Sequence, residues 1–300
     1  MTPVALVHST EERRQLAHLA PVDAQARLVE MWLYQKSENS KEVYRRIVTN
    51  FLAKVAKPIP QITLEDLYQY AGHLSESELS ARSQKTYLSI VKSLLSFANK
   101  IGMTQVNAGA ALTLKSPTDS LSKRILSETE IILLTHAEKN PRNRMILRLF
   151  YASGLRVSEL ARLKWRDLTP RADSGQIEVI GGKGGKSRSV LVAKVIWDEL
   201  IQMRGDASDD EPVFQSRKRK HGGHLSRKSI DRIVKAAGLK AGLTKKISSH
   251  TLRHCHASHS LERGASVALV SETLGHSDVK ITSRYLHARP GDSSGLYLAL

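Results

Sequence analysis

The sequence predicts a mainly α-helical chain with a small β-sheet: an N-terminal bundle of four helices, then a larger α+β domain. Three observations predict it. Apolar residues recur at helical spacing in four stretches between residues 21 and 104. That periodicity lapses over residues 105–124, which hold Gly109 and the run Ser116-Pro-Thr-Asp-Ser120. Further on, two apolar runs flank a glycine-rich turn, Gly181-Gly-Lys-Gly-Gly-Lys186, as the strands of a hairpin do.

The elements follow in order. Residues 1–20 read as an arm, charged at Glu11, Glu12, Arg13 and Arg14. A first helix is expected over Asp23–Lys36. A second begins after Asn39-Ser40, a pair suited to capping, and lines up Tyr44, Ile47, Val48, Phe51, Leu52 and Val55. Pro58 and Pro60 end it. Thr63 and Asp66 form a capping box, with Asp in place of the usual Glu or Gln, and open a third helix over Leu64–Leu74. The fourth runs from Ser80 to Ile101 on a stripe of Tyr87, Ile90, Val91, Leu94, Leu95, Ala98 and Ile101. Lys41, Arg45 and Arg46 fall mostly off the second stripe, and Arg82 and Lys85 fall off the fourth. Taken singly these are solvated charges; as a set they can track a DNA backbone.

After the linker, Ser127-Glu-Thr-Glu130 starts a helix, and Asn140-Pro141 starts another with Met145, Leu149 and Phe150 inside. Gly154 breaks that helix, and Arg156 stands where the next begins. Gln176–Ile180 and Ser187–Val192 are the hairpin strands. Residues 194–204 are helical. Arg217-Lys218-Arg219-Lys220-His-Gly-Gly-His224 is a basic loop, and Ser226–Ala237 is a helix containing Arg227 and Lys228. The domain boundaries are then an arm (1–20), a helical domain (21–104), a linker (105–124) and a second domain (125–300) with a tail over 288–300.

Of the 300 residues, 46 are Lys or Arg and 29 Asp or Glu, a net charge of +17. Residues 1–120 hold 14 of these basic and 11 of these acidic side chains; the rest of the chain holds 32 and 18. Basicity concentrated in one part favours a polyanionic partner. The one cysteine, Cys255, excludes an intramolecular disulfide and fits a reducing compartment. No uninterrupted apolar run of about 18 residues exists, so no membrane span is expected. The short patch Val4–Val7 lacks the basic lead-in of a secretory signal. A cytoplasmic location is expected.

The chemistry lies in scattered side chains. Arg156 has Glu159 three residues on, and alone would be an ordinary helix-end ion pair. Arg253 alone would be a surface residue. Two arginines converging on one phosphate grip it bidentately, which lysine cannot do. Lys183 sits in the glycine-rich turn. A P-loop reading fails there, because position 180 is Ile rather than Gly. His250, His254, Cys255, His256 and His259 crowd one helix, so a zinc site is a rival reading. His-Glu-x-x-His and Cys-x-x-Cys are both absent, however, and His254, His256 and His259 read as packing or local hydrogen-bonding groups. Tyr285 lies nine residues after His276. A free phenol near pKa 10 is a poor nucleophile and needs cations and a proton acceptor beside it. Tyr297, in the apolar tail, is the rival nucleophile and has no such neighbours in sequence.

Together these pieces resemble the tyrosine recombinases, also called the phage integrase family, and look most like the compact Xer-type bacterial members. The resemblance covers residues 22–289. Its pieces are Gly154-Leu-Arg156-Val-Ser-Glu159-Leu, Gly182-Lys183-Gly-Gly-Lys186-Ser-Arg188, His250-Thr-Leu-Arg253-His, Leu274-Gly-His276-Ser, and Tyr285. It implies a core-binding, SAM-like helical domain and a catalytic domain clamping double-stranded DNA. Tyr285 would attack a phosphate to leave a 3′-phosphotyrosine and a free 5′-hydroxyl. Arg156 and Arg253 would neutralise the transition state, and Lys183 would protonate the leaving oxygen. His250 would take or hold the tyrosine proton, His276 would hydrogen-bond the phosphate, and Glu159 would support the site. No metal, cofactor or ATP would be needed. DNA contacts are expected from Lys41, Arg45, Arg46, Arg82, Lys85, Lys186, Arg188, Arg217, Lys218, Arg219, Lys220, Arg227 and Lys228.

Site-specific recombination by a tetramer on two sites is therefore expected. Type IB topoisomerase-like relaxation and a non-catalytic architectural factor are the alternatives. A second recombinase or a DNA translocase as partner stays open. The chain departs from the family at His256, where an aromatic is common, and after Tyr285, where Pro290-Gly291 interrupts the helix expected there. The apolar tip Leu296-Tyr-Leu-Ala-Leu300 docks on a neighbouring subunit or on its own domain.

Overall fold

The computed structural model describes residues 21–34, 36–114, 124–180, 187–216, 223–276, 278–283 and 285. The arm, residues 115–123 of the linker, Lys183, Lys186, Arg217, Lys218, Arg219, Lys220, Tyr297 and the tail lie outside the described residues. The chain divides into two compact units, residues 1–118 and 119–300. No helix among the described residues is long and apolar enough to cross a membrane.

The first unit holds α1 (Pro21–Tyr34), α2 (Glu38–Val55), α3 (Leu64–Glu76) and α4 (Ala81–Lys100). Ser37, rather than Asn39-Ser40, is the N-cap of α2. Thr63 and Asp66 do form a reciprocal capping box, which satisfies two otherwise orphaned N–H groups at the start of α3. Asp66 also accepts from Lys57 Nζ at 2.7 Å; that bond, then the Thr63 N–H, lowers its carboxyl pKa. The apolar stripes meet in one core of Leu28, Trp32, Ile47, Val48, Phe51, Leu67, Tyr70, Leu94 and Leu95 among others. The Phe51 and Tyr70 rings meet edge to face at 4.9 Å, a favoured aromatic geometry. Residues 105–114, expected as linker, fold back far enough for Leu112 to be buried in this core. Arg46 and Arg82 are exposed, while Lys41 and Arg45 are ion-paired with Glu38 and Glu30 at the surface. Lys85 is half-buried.

The second unit starts with α5 (Glu128–Ala137), α6 (Pro141–Ser153) and α7 (Val157–Arg162). The Ser127–Glu130 capping box and the Asn140 cap set the starts of α5 and α6. A three-stranded antiparallel sheet follows in the order β1 (Leu168–Arg171), β2 (Ser174–Val179), β3 (Arg188–Ala193). The first strand was not expected: Leu168-Thr-Pro-Arg171 carries a proline, which suits only an edge strand. Ile177, Val179, Val190 and Val192 point to the core, and Val179 pairs with Arg188 where the two strands flank the glycine-rich segment 181–186. Then come α8 (Lys194–Gln202), α9 (Arg227–Lys240), α10 (Ser249–Glu262), α11 (Val267–Leu274) and α12 (Val279–Ser283). Arg227 and Lys228 are exposed in the first turn of α9. A core around Leu149, Phe150, Trp165 and Phe214 holds these elements, and α10 lies against α6.

Candidate active site

Local backbone chemistry places the first cation. Gly154 ends α6 in the left-handed region at φ +60°, where glycine carries no steric penalty. A β-carbon there would also sit 2.6 Å from His256 Cδ2 and 2.8 Å from Leu274 Cδ2. The chain then turns at once, so Arg156 becomes the N-cap of α7. Glu159, at the third position of α7, accepts the Arg156 N–H at 2.7 Å and Arg156 Nη1 at 2.8 Å.

Glu159 has a second partner. Arg188, at the start of β3, donates Nη1 to Oε1 at 3.0 Å and Nη2 to Oε2 at 2.8 Å, with both side chains only 10% exposed. Burial alone would raise the Glu159 carboxyl; the hydrogen bonds from Arg188 and Arg156 outweigh it and hold the pKa at about 2. Arg188 was expected among the DNA contacts. The structure corrects that placement: its guanidinium is buried, and its charge is spent on Glu159.

The C-terminal carbonyls of α11 gather the arginines. Thr273 O accepts Arg188 Nε at 2.7 Å, Leu274 O accepts Arg253 Nη2 at 2.6 Å, and Gly275 O accepts Arg156 Nη2 at 2.5 Å. These oxygens have no partner within their helix and form its negative end, so cations are stable there. Arg253 also donates Nη1 to Gly154 O at 2.6 Å. It is 6% exposed; burial, then the charge of Arg156, lowers its pKa to about 10, which leaves it protonated at neutral pH.

Gly275 closes α11 at φ +63° and turns the chain so that His276 joins the same group. Burial, then Arg253, Arg156 and Arg188, push its imidazole down to about 4, so it is neutral near pH 7. Its Nδ1 lies 2.8 Å from Thr282 Oγ1, and Thr282 is fully buried. Tyr285 follows α12 and is 4% exposed, in a cluster with Ala257, Leu261, Val270 and Leu274.

The α10 histidines separate by role. His256 Nδ1 meets Tyr151 O at 2.8 Å, and His259 Nδ1 meets the Tyr151 hydroxyl at 2.8 Å, the local hydrogen bonding expected of both. His250, expected at the tyrosine proton, is exposed. The histidine on the Tyr285 hydroxyl is His254, whose Nδ1 lies 2.6 Å away. No spacing in the sequence separates His254 from His250, since one turn of helix puts both on one face. Cys255 is fully buried and accepts the Leu126 N–H at 3.2 Å; burial pushes its thiol up to about 11, so it packs rather than reacts. Among the described residues, no three His, Cys, Asp or Glu side chains are grouped to hold a metal ion.

Two guanidiniums and a neutral imidazole converging beside a buried phenol can bind an anion at several oxygens and stabilise added negative charge. The chain matches the profile of the Phage integrase family over residues 123–291, and that of the phage integrase N-terminal SAM-like domain over residues 25–101. Tyrosine recombinase XerC of Xanthomonas axonopodis pv. citri is 35% identical over 240 residues, 78% of this chain and 77% of that protein. Tyrosine recombinase XerD of Rickettsia conorii is 33% identical over 285 residues, 87% of this chain and 93% of that one. In fold the chain is similar to lambda integrase residues 75–356, solved as a dimer bound to a core site: TM-score 0.73, 19% identity, 91% of this chain and 96% of that one.

Proposed function

The chain belongs to the phage integrase family and is a site-specific tyrosine recombinase; from that premise we propose how its residues share the reaction. Tyr285 attacks a phosphate of double-stranded DNA, leaving a 3′-phosphotyrosine and a free 5′-hydroxyl. The observation that carries this reading is the meeting of Arg156, Arg253 and His276 at the end of α11, in the unit where Tyr285 is packed.

Arg156 and Arg253 each keep guanidinium N–H capacity beyond their carbonyl bonds and take the non-bridging oxygens. With the Thr282 hydroxyl donating to Nδ1, His276 keeps its proton on Nε2 and donates it to the phosphate. Lys183 protonates the leaving 5′-oxygen. His250, exposed at the start of α10, hydrogen-bonds the phosphate from outside. Glu159 holds Arg156 in place. The arginines and Lys183 supply the positive charge, and the phosphotyrosine ester keeps the bond energy, so rejoining draws on neither metal nor ATP.

Residues 21–104 grip DNA through Lys41, Arg45, Arg46, Arg82 and Lys85, and residues 125–300 carry out the chemistry. The matched segments 25–101 and 123–291 support this division. Arg227 and Lys228 contact the backbone from α9; Lys186, Arg217, Lys218, Arg219 and Lys220 are assigned the same role from sequence. Lambda integrase has been solved as a tetramer bound to a Holliday junction; we carry that assembly over as a tetramer on two sites.

A duplex nicked beside the crossover point tests this, because the freed 5′ fragment diffuses away and traps the covalent state. An adduct is expected in EDTA and is lost in Tyr285→Phe. An adduct surviving that change contradicts the assignment. Recombinant product from the purified chain separates recombination from relaxation, and shows that no translocase or second recombinase is required.

A further inference from the structure

We propose that His254 is a catalytic residue of this recombinase, the group that aligns the Tyr285 hydroxyl and takes its proton as the phosphate is attacked. The inference rests on the function proposed above and adds a residue to it.

Position carries the argument. His254 lies on α10 directly after Arg253, which is bound to the carbonyls of Gly154 and Leu274. Its Nδ1 is 2.6 Å from the Tyr285 hydroxyl, inside the range for general-base contact. Residues 250, 254, 257 and 261 recur at one-turn intervals and form one stripe of α10. Tyr285 shares a buried cluster with the apolar half of that stripe, Ala257 and Leu261, and its hydroxyl reaches the polar half at His254. Ring and hydroxyl are thus held by the same helix that places Arg253. The His250 ring is centred 6.4 Å from that of His254, one turn nearer the start of the helix. The other histidine of the site is occupied elsewhere: His276 Nδ1 faces Thr282.

The step balances. With the His254 proton on Nε2, Nδ1 accepts the phenolic proton while the tyrosine oxygen bonds to phosphorus. The phosphorus–5′-oxygen bond breaks, its electron pair stays on the 5′-oxygen, and Lys183 gives that oxygen a proton. On rejoining, the 5′-hydroxyl attacks and returns its proton to the lysine side, and the His254 imidazolium gives its proton back to the departing phenolate. One residue is therefore base in cleavage and acid in religation, as microscopic reversibility requires.

The test is single-turnover adduct formation on the nicked duplex by the full chain. His254→Ala should slow it about 100-fold, within the usual range for a lost general base, with DNA binding changed less than about twofold. His250→Ala should slow it less than tenfold. His254→Gln keeps a hydrogen-bonding side chain but cannot carry the proton, and should be nearly as slow as the alanine variant; it also decides the matter if the alanine variant fails to fold. Unchanged or faster cleavage in His254→Ala would mean that the contact merely stores the tyrosine and would overturn the proposal. So would recovery of the native rate in His254→Gln, or a larger loss from His250→Ala. Tyr285→Phe is the independent control: an adduct in that variant would sink the function itself, whereas an active native chain with an unaffected His254→Ala sinks only this proposal.

Discussion

Arg188 and Glu159 form a two-point ion pair, at 3.0 and 2.8 Å, between the start of β3 and the first turn of α7. The pair ties the first residue of β3 to the helix that begins after Arg156. Both side chains are 10% exposed, so neither can turn to water if the other is removed. Arg188→Met should destabilise folding by about 3–5 kcal/mol, the usual cost of stranding a buried charge. Chemical denaturation of the two chains measures it; a loss below about 1 kcal/mol would show the pair to be peripheral.

Acid should act in two windows. The folded His276 pKa is depressed to about 4 from 6.5, so between these values the unfolded chain binds more protons. The stability His276 contributes is present above pH 6.5 and lost as pH falls to about 4. Glu159 is depressed to about 2 from 4.5, so its contribution is lost lower, between about pH 4.5 and 2. Stability measured against pH should flatten over the upper window in His276→Gln and over the lower in Glu159→Gln. The same slope in variant and native chain would contradict the assignment of that window.

Gly154 and Gly264 separate strain from crowding. Both have positive φ, +60° and +93°, but nothing lies within 4 Å of a β-carbon at Gly264. Gly264→Ala should cost about 1–2 kcal/mol, from backbone strain alone. Gly154→Ala adds a collision with His256 and Leu274 and should cost a further 1–3 kcal/mol or so, the usual range for overpacking. Equal losses would remove the claimed contact between the α6 end and His256.

Much of this was legible in the sequence, for physical reasons. The Thr63–Asp66 and Ser127–Glu130 boxes are local, so three residues of spacing suffice to place a helix start. Gly154 followed by Arg156 likewise marks a break and a restart. What was not legible depends on partners far along the chain. Arg188 looks like one more basic residue in a basic stretch until folding brings Glu159 and Thr273 to it. His254 cannot be told from His250 until the turn after α11 returns Tyr285 to α10. β1 was missed because Pro170 argues against a strand and only its edge position permits one.

The basic residues make a salt-dependent prediction. Arg46, Arg82, Arg227 and Lys228 are exposed, and each should neutralise about one phosphate. Alanine at any one should weaken binding across sequences and lower the slope of log affinity against log salt by about one. A slope unchanged by all four would place the DNA path on another face.

The most direct measurement of the central claim is the identity of the covalent bond. The adduct trapped on a nicked site is digested with protease and nuclease, and the nucleotide-bearing peptide is sequenced by mass spectrometry. The predicted result is a single modified residue, Tyr285, joined to a 3′-phosphate. Attachment at Tyr297, at a histidine of α10, or through a 5′-phosphate would contradict the site described here.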